Sequence, residues 1–176
     1  DNRNLIKTAY EKDGSEIRSE FLYENNLLVE QRFVYDSGLE VRTEYSYRDN
    51  NKTKIATHYN SDDSIGLIAT EYLDDDGRML KGVFSTEDGE ITDTTTMYYE
   101  NDLLVKSIRE KADGAVNTYN TEYNNLGDKI KEYNILSNEG ENLLIVNFYD
   151  IEYNEDLLAE SITYHQVQSE IAAEDI

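Results

Sequence analysis

The residues able to carry acid–base chemistry are two histidines and 38 carboxylates. His58 lies in the segment IATHY and His165 in TYHQ. Both segments alternate as strands do, and alternation puts His58 on the charged face. No G-x-S-x-G elbow is present to supply a serine nucleophile. We expect both histidines to be solvated strand residues, not bases or metal ligands.

The carboxylates do not define a catalytic pair. With 38 of them, pairs close in space arise without any catalytic requirement. A hydrolase would need a concave site holding two carboxyl groups, one with a raised pKa, and no segment specifies one. There is no P-loop, no G-x-G-x-x-G and no cysteine. The sequence therefore predicts neither an enzyme nor a bound cofactor.

Two neighbouring acidic turns, SDDS at 61–64 and DDD at 74–76, are the places where calcium could bind. The calcium candidates are Asp62, Asp63, Asp74 and Asp76. The turns would lie at opposite ends of a shared strand, and both lack the D-x-D-x-D-G-x5-E pattern of a calcium loop. Because aspartate is a good turn former in its own right, we predict no metal site.

Tyrosine is the other residue type that could form a site, with 15 copies in the chain. Tyrosine rings can stack on sugars or peptides. The candidate ligand-binding residues are Tyr45, Tyr47, Tyr59 and Tyr72, in rows that an open edge or a concave face would expose. The alternative is that these rings only stabilise a sheet through cross-strand pairing.

Turn-forming clusters recur along the whole chain, with centres roughly 12 to 15 residues apart, which is typical of short antiparallel strands. Gly, Asn and Asp tolerate the positive φ of tight hairpin turns, and no proline interrupts the strands. The clusters are KDGS 12–15, ENN 24–26, DSG 36–38, RDNNK 48–52, SDDSIG 61–66, DDDG 74–77, EDG 87–89, END 100–102, KADG 111–114, NNLG 124–127, SNEG 137–140 and NED 154–156.

Between the turns, an apolar residue, a small or polar residue and an aromatic residue alternate on one strand face. The trios are Ile17-Ser19-Phe21, Val29-Gln31-Phe33, Val41-Thr43-Tyr45, Ile55-Thr57-Tyr59, Ile68-Thr70-Tyr72 and Leu80-Gly82-Phe84. If each apolar residue opposes the aromatic of the next strand, Ile17 faces Phe33 and Tyr45 faces Ile55. The resulting midpoints, at 25, 37, 50, between 63 and 64, and at 76, all fall inside turn clusters.

Tyrosines open alternate turns at a spacing of about 26, so the unit is a two-stranded hairpin present about six times. These tyrosines are Tyr23, Tyr47, Tyr72, Tyr99, Tyr123 and Tyr153. The predicted fold is all-β: an antiparallel meander of about twelve strands, as a curled single sheet or a partly closed barrel. We expect one domain over residues 1–168 and an acidic C-terminal tail over 169–176.

Several segments resemble the YD repeats of bacterial Rhs-type proteins, whose pattern is Tyr-Asp-x-x-Gly-x-Leu. They are FVYDSGLEV (33–41), EYLDDDGRML (71–80) and EYNNLGDKI (122–130). The segment MYYENDLLVKSI (97–108) is similar to a MORN-like repeat. Either resemblance implies a hairpin meander, and the first implies an envelope-associated scaffold, not an enzyme. The array is too short to enclose a toxin, so the carrier role of the longer relatives is not implied.

The formal charge of -22 disfavours nucleic acid and anionic membranes as partners. The longest apolar run, LLIV at 143–146, is far shorter than the ~20 residues of a membrane-spanning helix. We expect a monomeric bacterial β-repeat protein, secreted or lipid-anchored to the cell envelope, that is a scaffold or binding surface for protein or glycan. Any export signal would lie before Asp1. The alternative is a cytoplasmic acidic immunity or inhibitor protein that neutralises a basic toxin.

Overall fold

The computed structural model describes residues 3–12, 15–138, 141–154 and 159–170. Within these residues the chain forms thirteen β-strands and no helix. The strands are β1 Arg3–Lys12, β2 Ser15–Glu24, β3 Leu27–Tyr35, β4 Glu40–Arg48, β5 Thr53–Tyr59, β6 Ile65–Leu73, β7 Met79–Ser85, β8 Ile91–Glu100, β9 Leu103–Lys111, β10 Val116–Tyr123, β11 Lys129–Asn138, β12 Glu141–Tyr153 and β13 Ala159–Glu170. No helix in this part of the chain is long and apolar enough to cross a membrane.

Strands that follow one another in the chain are hydrogen-bonded neighbours in one sheet, in the order β1 to β13. Strands β1 and β13 stand at the two ends of this order, so the sheet is not closed into a barrel. The predicted all-β antiparallel meander is confirmed, with thirteen strands where about twelve were expected. The chain forms two compact units, residues 1–92 and 93–176. Ser169 and Glu170, the first residues of the predicted tail, end β13, and the rest of that tail lies outside the described residues.

The predicted turn clusters coincide with the connections between strands, except that KDGS, SNEG and NED lie partly outside the described residues. The tightest turns have two residues, both with positive φ: Asn25 and Asn26 at 51° and 66°, and Asn101 and Asp102 at 48° and 67°. Such backbones match type I′ turns, which follow the right-handed twist of the flanking strands. Longer turns place a glycine at positive φ, as at Gly77, where φ is 81°. Turn chemistry therefore determined where each strand begins and ends.

The strand register differs from the expected pairing. Phe33 opposes Val41 as predicted. Ile17, however, opposes Tyr35 and not Phe33. The two-residue turn over Asn25 and Asn26 accounts for one residue of this difference, and a β-bulge, an extra residue in one strand, between Leu22 and Tyr23 accounts for the other. The same kind of shift recurs beside Tyr59, Tyr72, Tyr99, Tyr123 and Tyr153.

Between β4 and β5 the expected register was also wrong. Tyr45 opposes Ala56 and not Ile55, because a four-residue turn over 49–52 joins Arg48 to Thr53. Since side chains alternate with a period of two, this shift of one residue moves the trio of β5 to the other face. Residues of the face that carries Tyr45 are small where they are most buried: Ser19, Thr43, Ala56 and Ala69. Large neighbours such as Phe84, which opposes Ala69, lie beside them.

Candidate functional site

Strands β2–β5 and β8–β11 pair in the same register when one numbering is offset by 76 residues, except at a bulge that sets Tyr123 opposite Lys129 where Tyr47 opposes Lys54. Gln31 opposes Thr43 in β3 and β4, and Ser107 opposes Tyr119 in β9 and β10. The bulge beside Tyr23 has its counterpart beside Tyr99. The two units therefore contain a duplicated four-stranded segment, and each position in one copy has a definite counterpart in the other.

Side-chain contacts repeat in the same way. The Tyr47 hydroxyl donates to the carbonyl oxygen of Leu28 at 3.0 Å. The Tyr123 hydroxyl donates to the carbonyl oxygen of Leu104 at 2.9 Å. Both the donors and the acceptors are 76 positions apart. The duplication thus extends from backbone register to specific hydrogen bonds.

At one row of equivalent positions the chemistry of the two copies differs. In the first copy Tyr45, Ala56 and Ala69 oppose one another across β4, β5 and β6, and both alanines are only 4% exposed. In the second copy the row across β10 to β13 is polar. We call it the Glu132 row, and it consists of Thr121, Glu132, Asn147 and Gln166. A glutamate and an asparagine thus stand where the first copy has two buried alanines.

The Glu132 carboxylate is the centre of a hydrogen-bond network. It accepts from Lys129 Nζ at 3.1 Å, from the Tyr149 hydroxyl at 3.2 Å and from Asn147 Nδ2 at 3.3 Å. Burial raises the pKa of Glu132, but the Lys129 ammonium and these donors outweigh it, so the pKa lies below its ordinary value. Glu132 is therefore an ionised acceptor at neutral pH.

Asn147 extends the network towards β13. Its Oδ1 accepts from the Tyr164 hydroxyl and from Gln166 Nε2, both at 2.9 Å. Asn147 is only 8% exposed, and the rings of Tyr149 and Tyr164 lie 5.7 Å apart beside it. Burial, followed by the nearby Glu132 charge, raises the pKa of Tyr149, so its hydroxyl is a donor. The row is thus a preorganised polar surface and not a set of freely solvated side chains.

A concavity of about 220 Å³ opens beside the Glu132 row, with Tyr119, Tyr123 and Lys129 in its lining. Asn134 lies directly opposite Tyr119 in the neighbouring strand. Its Oδ1 is buried and, among the described residues, has no hydrogen-bond partner. An unpaired buried acceptor is costly, and its presence beside a concavity is the kind of exception that calls for an explanation.

On the opposite sheet face the difference is reversed in one row: the first copy carries the charged residues and the second copy does not. In the first copy Arg32 opposes Arg42, which opposes Tyr59. The counterparts in the second copy are Ile108, Thr118 and Ile135, which oppose one another in the same way. In the second copy this row therefore has two isoleucines and a threonine where the first copy has two arginines and a tyrosine.

The structure does not bring the four candidate tyrosines together. Tyr45 and Tyr47 lie on the face that carries Ala56, whereas Tyr59 and Tyr72 lie on the other face. The Tyr45 hydroxyl donates to Gln31 Oε1 at 3.0 Å. The Tyr59 hydroxyl donates to Glu44 Oε2 at 2.9 Å, and the Arg42 guanidinium lies 4.0 Å from its ring centre.

His58 is not on the charged face, contrary to the expectation. It opposes Thr43, with its Nδ1 at 3.0 Å from the threonine hydroxyl, because the register of β4 and β5 is shifted by one residue. It is half-buried, and desolvation lowers its pKa despite the opposing effect of Glu71. His165 is exposed on β13, as expected, with its Nε2 at 3.4 Å from Asp150 Oδ2.

The four aspartates proposed for calcium lie in turns at the two ends of β6. Asp62 accepts from the backbone and hydroxyl of Ser64, which lower its pKa. Asp63 lies 3.4 Å from Arg42, while Arg78 contacts both Asp74 and Asp76. Among the described residues no group of three or more His, Asp or Glu side chains could hold a metal ion.

Sequence reasoning missed the Glu132 row. One signal could have found it: the near-copies YENNLLVE and YENDLLVK begin at Tyr23 and Tyr99, 76 positions apart. Continuing that alignment places Glu132 against Ala56. The burial of Asn147 and the orphaned Asn134 oxygen have no comparable sequence signal.

No family model matches the chain, and no curated protein matches it. Among solved structures, the chain is similar to a porin-like protein from Bacteroides uniformis ATCC 8492, whose crystal structure was determined at 2.32 Å resolution. The two are 11% identical, with a TM-score of 0.48, over 93% of this chain and 92% of that one. At this level of similarity the comparison assigns neither a family nor a function to this chain.

Proposed function

We propose that the protein is a non-enzymatic bacterial β-repeat protein that binds a glycan on the Glu132 row. One observation carries the proposal: partly buried Glu132 stands where the duplicated segment has Ala56, and it opposes the almost fully buried Asn147 as Ala56 opposes Ala69. Burying a charge and an amide in place of alanine costs free energy unless hydrogen bonds compensate, and the bonds around Glu132 and Asn147 do so, which leaves a stable polar row on this face.

The chemistry of the row matches sugar hydroxyls, which both donate and accept hydrogen bonds. Glu132 is an acceptor, and the Lys129 ammonium is a donor; both line the concavity. The rings of Tyr119 and Tyr123 line the concavity and provide apolar contact for a sugar ring. The volume of about 220 Å³ is below the 300–1,000 Å³ range of sites for larger ligands, so it suits a single ring.

The environment of Glu132 favours binding over hydrolysis. A glycosidase needs a carboxylic acid whose pKa is raised so that it can protonate the leaving group. The pKa of Glu132 is lowered, so it is a hydrogen-bond acceptor and not a general acid. This argues against Glu132 as a general acid and is compatible with a lectin-like role.

The test is a glycan array followed by calorimetry on any glycan that binds. The Glu132→Ala/Asn147→Ala double variant recreates the alanine pair of the first unit, so it should fold and lose at least about tenfold in affinity. The matched control is Asn120→Ala/Glu122→Ala, which removes the same residue types from positions opposite Tyr133 and Lys131. Absence of glycan binding by the wild type, or equal losses in the two variants, would contradict the proposal.

We further propose that this binding takes place outside the cytoplasm, in a secreted or envelope-anchored form. The resemblance to YD repeats supports this location. Fractionation of source cells, with mass spectrometry of the mature N-terminus, tests it. An unprocessed protein in the cytosol would contradict it.

A second candidate function is inhibition of a basic toxin. It is favoured by the charge distribution: residues 132–176 contain eleven Asp and Glu residues and no Lys or Arg. A strongly acidic segment attracts a basic partner and accelerates its association. The distinguishing result is a basic protein that co-purifies at low salt and dissociates as salt rises, with no glycan binding.

A further inference from the structure

The strand β13, at one end of the sheet order, has an unusually unprotected edge. Residues 161–169 contain no Asp, Glu, Lys or Arg, and this is the longest such stretch in the chain. Ile162 and Val167 are 61% and 56% exposed. Natural sheets usually protect long edge strands with lysine, proline or bulges to prevent pairing with another chain. Over these nine residues β13 has neither charge nor proline.

The strand β1, at the other end of the order, has complementary properties. Its sequence RNLIKTAYEK contains three basic residues and one acidic residue, in a chain where acids outnumber bases 38 to 16. Leu5 and Ile6 are about half exposed. The β13 sequence AESITYHQVQSE contains two acidic residues and no lysine or arginine. The two strands are therefore both partly apolar, and their sequences have net charges of opposite sign. Lys7 of β1 is ion-paired with Glu20 of β2.

We propose that β13 of one copy pairs with β1 of a second copy, which joins protomers head to tail through a continuous sheet. The pairing satisfies the outward backbone N–H and C=O groups of both edges and brings Leu5 and Ile6 of one copy close to Ile162 and Val167 of the other. Because this contact is heterologous, repeated copies form a ring or an open filament.

Charge selects this arrangement over pairing of like edges. Two β13 edges would bring acidic segments together, and two β1 edges would bring basic segments together, in a molecule that already carries a charge of -22. Only the head-to-tail contact sets opposite charges side by side. It shares only Gln166 of β13 with the Glu132 row, and the Glu132→Ala/Asn147→Ala variant leaves both edge strands unchanged.

The test uses two edge variants of the full chain, examined by sedimentation velocity over a range of concentrations. Leu5→Asp/Thr8→Asp adds acidic charge to β1, and Thr163→Lys/Val167→Lys adds basic charge to β13; all four side chains are exposed. The control variants carry the same two charges at the exposed turn residues Ser61 and Asn125. Circular dichroism establishes that each variant keeps its β-sheet content.

We expect the wild type and the controls to form dimers and larger species as concentration rises, and each edge variant alone to remain a monomer. Mixing the two edge variants should restore association, because the unaltered β13 of one variant meets the unaltered β1 of the other, and the two altered edges carry charges of opposite sign. Self-dimerisation of the β1 variant would overturn the proposal in favour of a two-fold β13 contact. A wild type that stays monomeric, with no concentration-dependent amide protection in β1 and β13 by hydrogen exchange, would also overturn it.

Discussion

Ala56 and Glu132 occupy equivalent positions in β5 and β11, 76 residues apart, within strands that pair in the same register. Ala56 opposes Ala69, whereas Glu132 opposes Asn147 and hydrogen-bonds to it. One backbone arrangement thus tolerates an apolar row in one unit and a polar network in the other. The sheet does not require a particular polarity on this face, which leaves the face available for function.

The Tyr47 and Tyr123 hydroxyls make equivalent hydrogen bonds in the two units, so they should contribute equally to stability. Tyr47→Phe and Tyr123→Phe each remove one hydrogen bond to a backbone carbonyl, at 3.0 and 2.9 Å. Each should lower the free energy of unfolding by about 1 kcal/mol in urea denaturation. Tyr72→Phe, on an exposed ring, should change it by less than about 0.5 kcal/mol. A loss at only one of the two equivalent tyrosines would contradict the structural equivalence.

Gly77 tests the role of the positive-φ turns. Its φ is 81°, and an added Cβ would meet no atom within 4 Å, so Gly77→Ala isolates backbone strain. We expect a loss of about 1 kcal/mol in unfolding free energy, since alanine disfavours this region. Gly82→Ala is the control, because it lies in β7 without positive φ and its Cβ would make ordinary contacts with Met79 and Phe84. Equal losses at the two positions would contradict this interpretation of the turn.

His58 should make stability depend on pH. Burial lowers its folded pKa below the ordinary value near 6.5, with Glu71 raising it and Lys54 lowering it. The stability that comes from neutral His58 is complete at a pH above the His58 pKa of the unfolded chain. It is lost as the pH falls through the His58 pKa of the folded protein, because the unfolded chain binds the proton more readily. The wild type should therefore lose more stability than His58→Gln between pH 7.5 and 5.5. Both proteins carry the same acidic residues, so the difference between their unfolding free energies reports on His58 alone. Parallel curves of unfolding free energy against pH would refute the prediction.

Replacing the candidate tyrosines should lower the free energy of unfolding by different amounts, according to the sheet face and the burial of each ring. Tyr45 is half-buried against Ala56, donates to Gln31 and has the Lys54 ammonium 5.3 Å from its ring centre. Tyr45→Ala should lower the unfolding free energy by roughly 2–3 kcal/mol, whereas Tyr72→Ala, at a 44% exposed ring, should lower it by less than about 1 kcal/mol. Thermal and urea unfolding measure both. Similar losses would mean that Tyr72 is also a structural residue.

The sequence by itself determined the strand class, the meander and the turn positions. Alternation with a period of two requires strands, and residues such as Asn25 and Gly77 can adopt positive φ at low cost, so they mark the turns. These signals are local, and they depend only on the preferences of neighbouring residues. For the same reason the turn midpoints were right to within a residue even where the pairing was not.

Tertiary structure alone decided which residues meet across strands. The bulge beside Tyr23 and the four-residue turn before Thr53 each change the register by a residue or two, and neither has a strong sequence signal. The turn before Thr53 decides that Tyr45 and Tyr59 lie on opposite faces, and the pairing of β11 with β12 decides that Glu132 meets Asn147. The physical reason is that alternation orders the side chains within one strand, while a shift of a single residue between strands exchanges the faces.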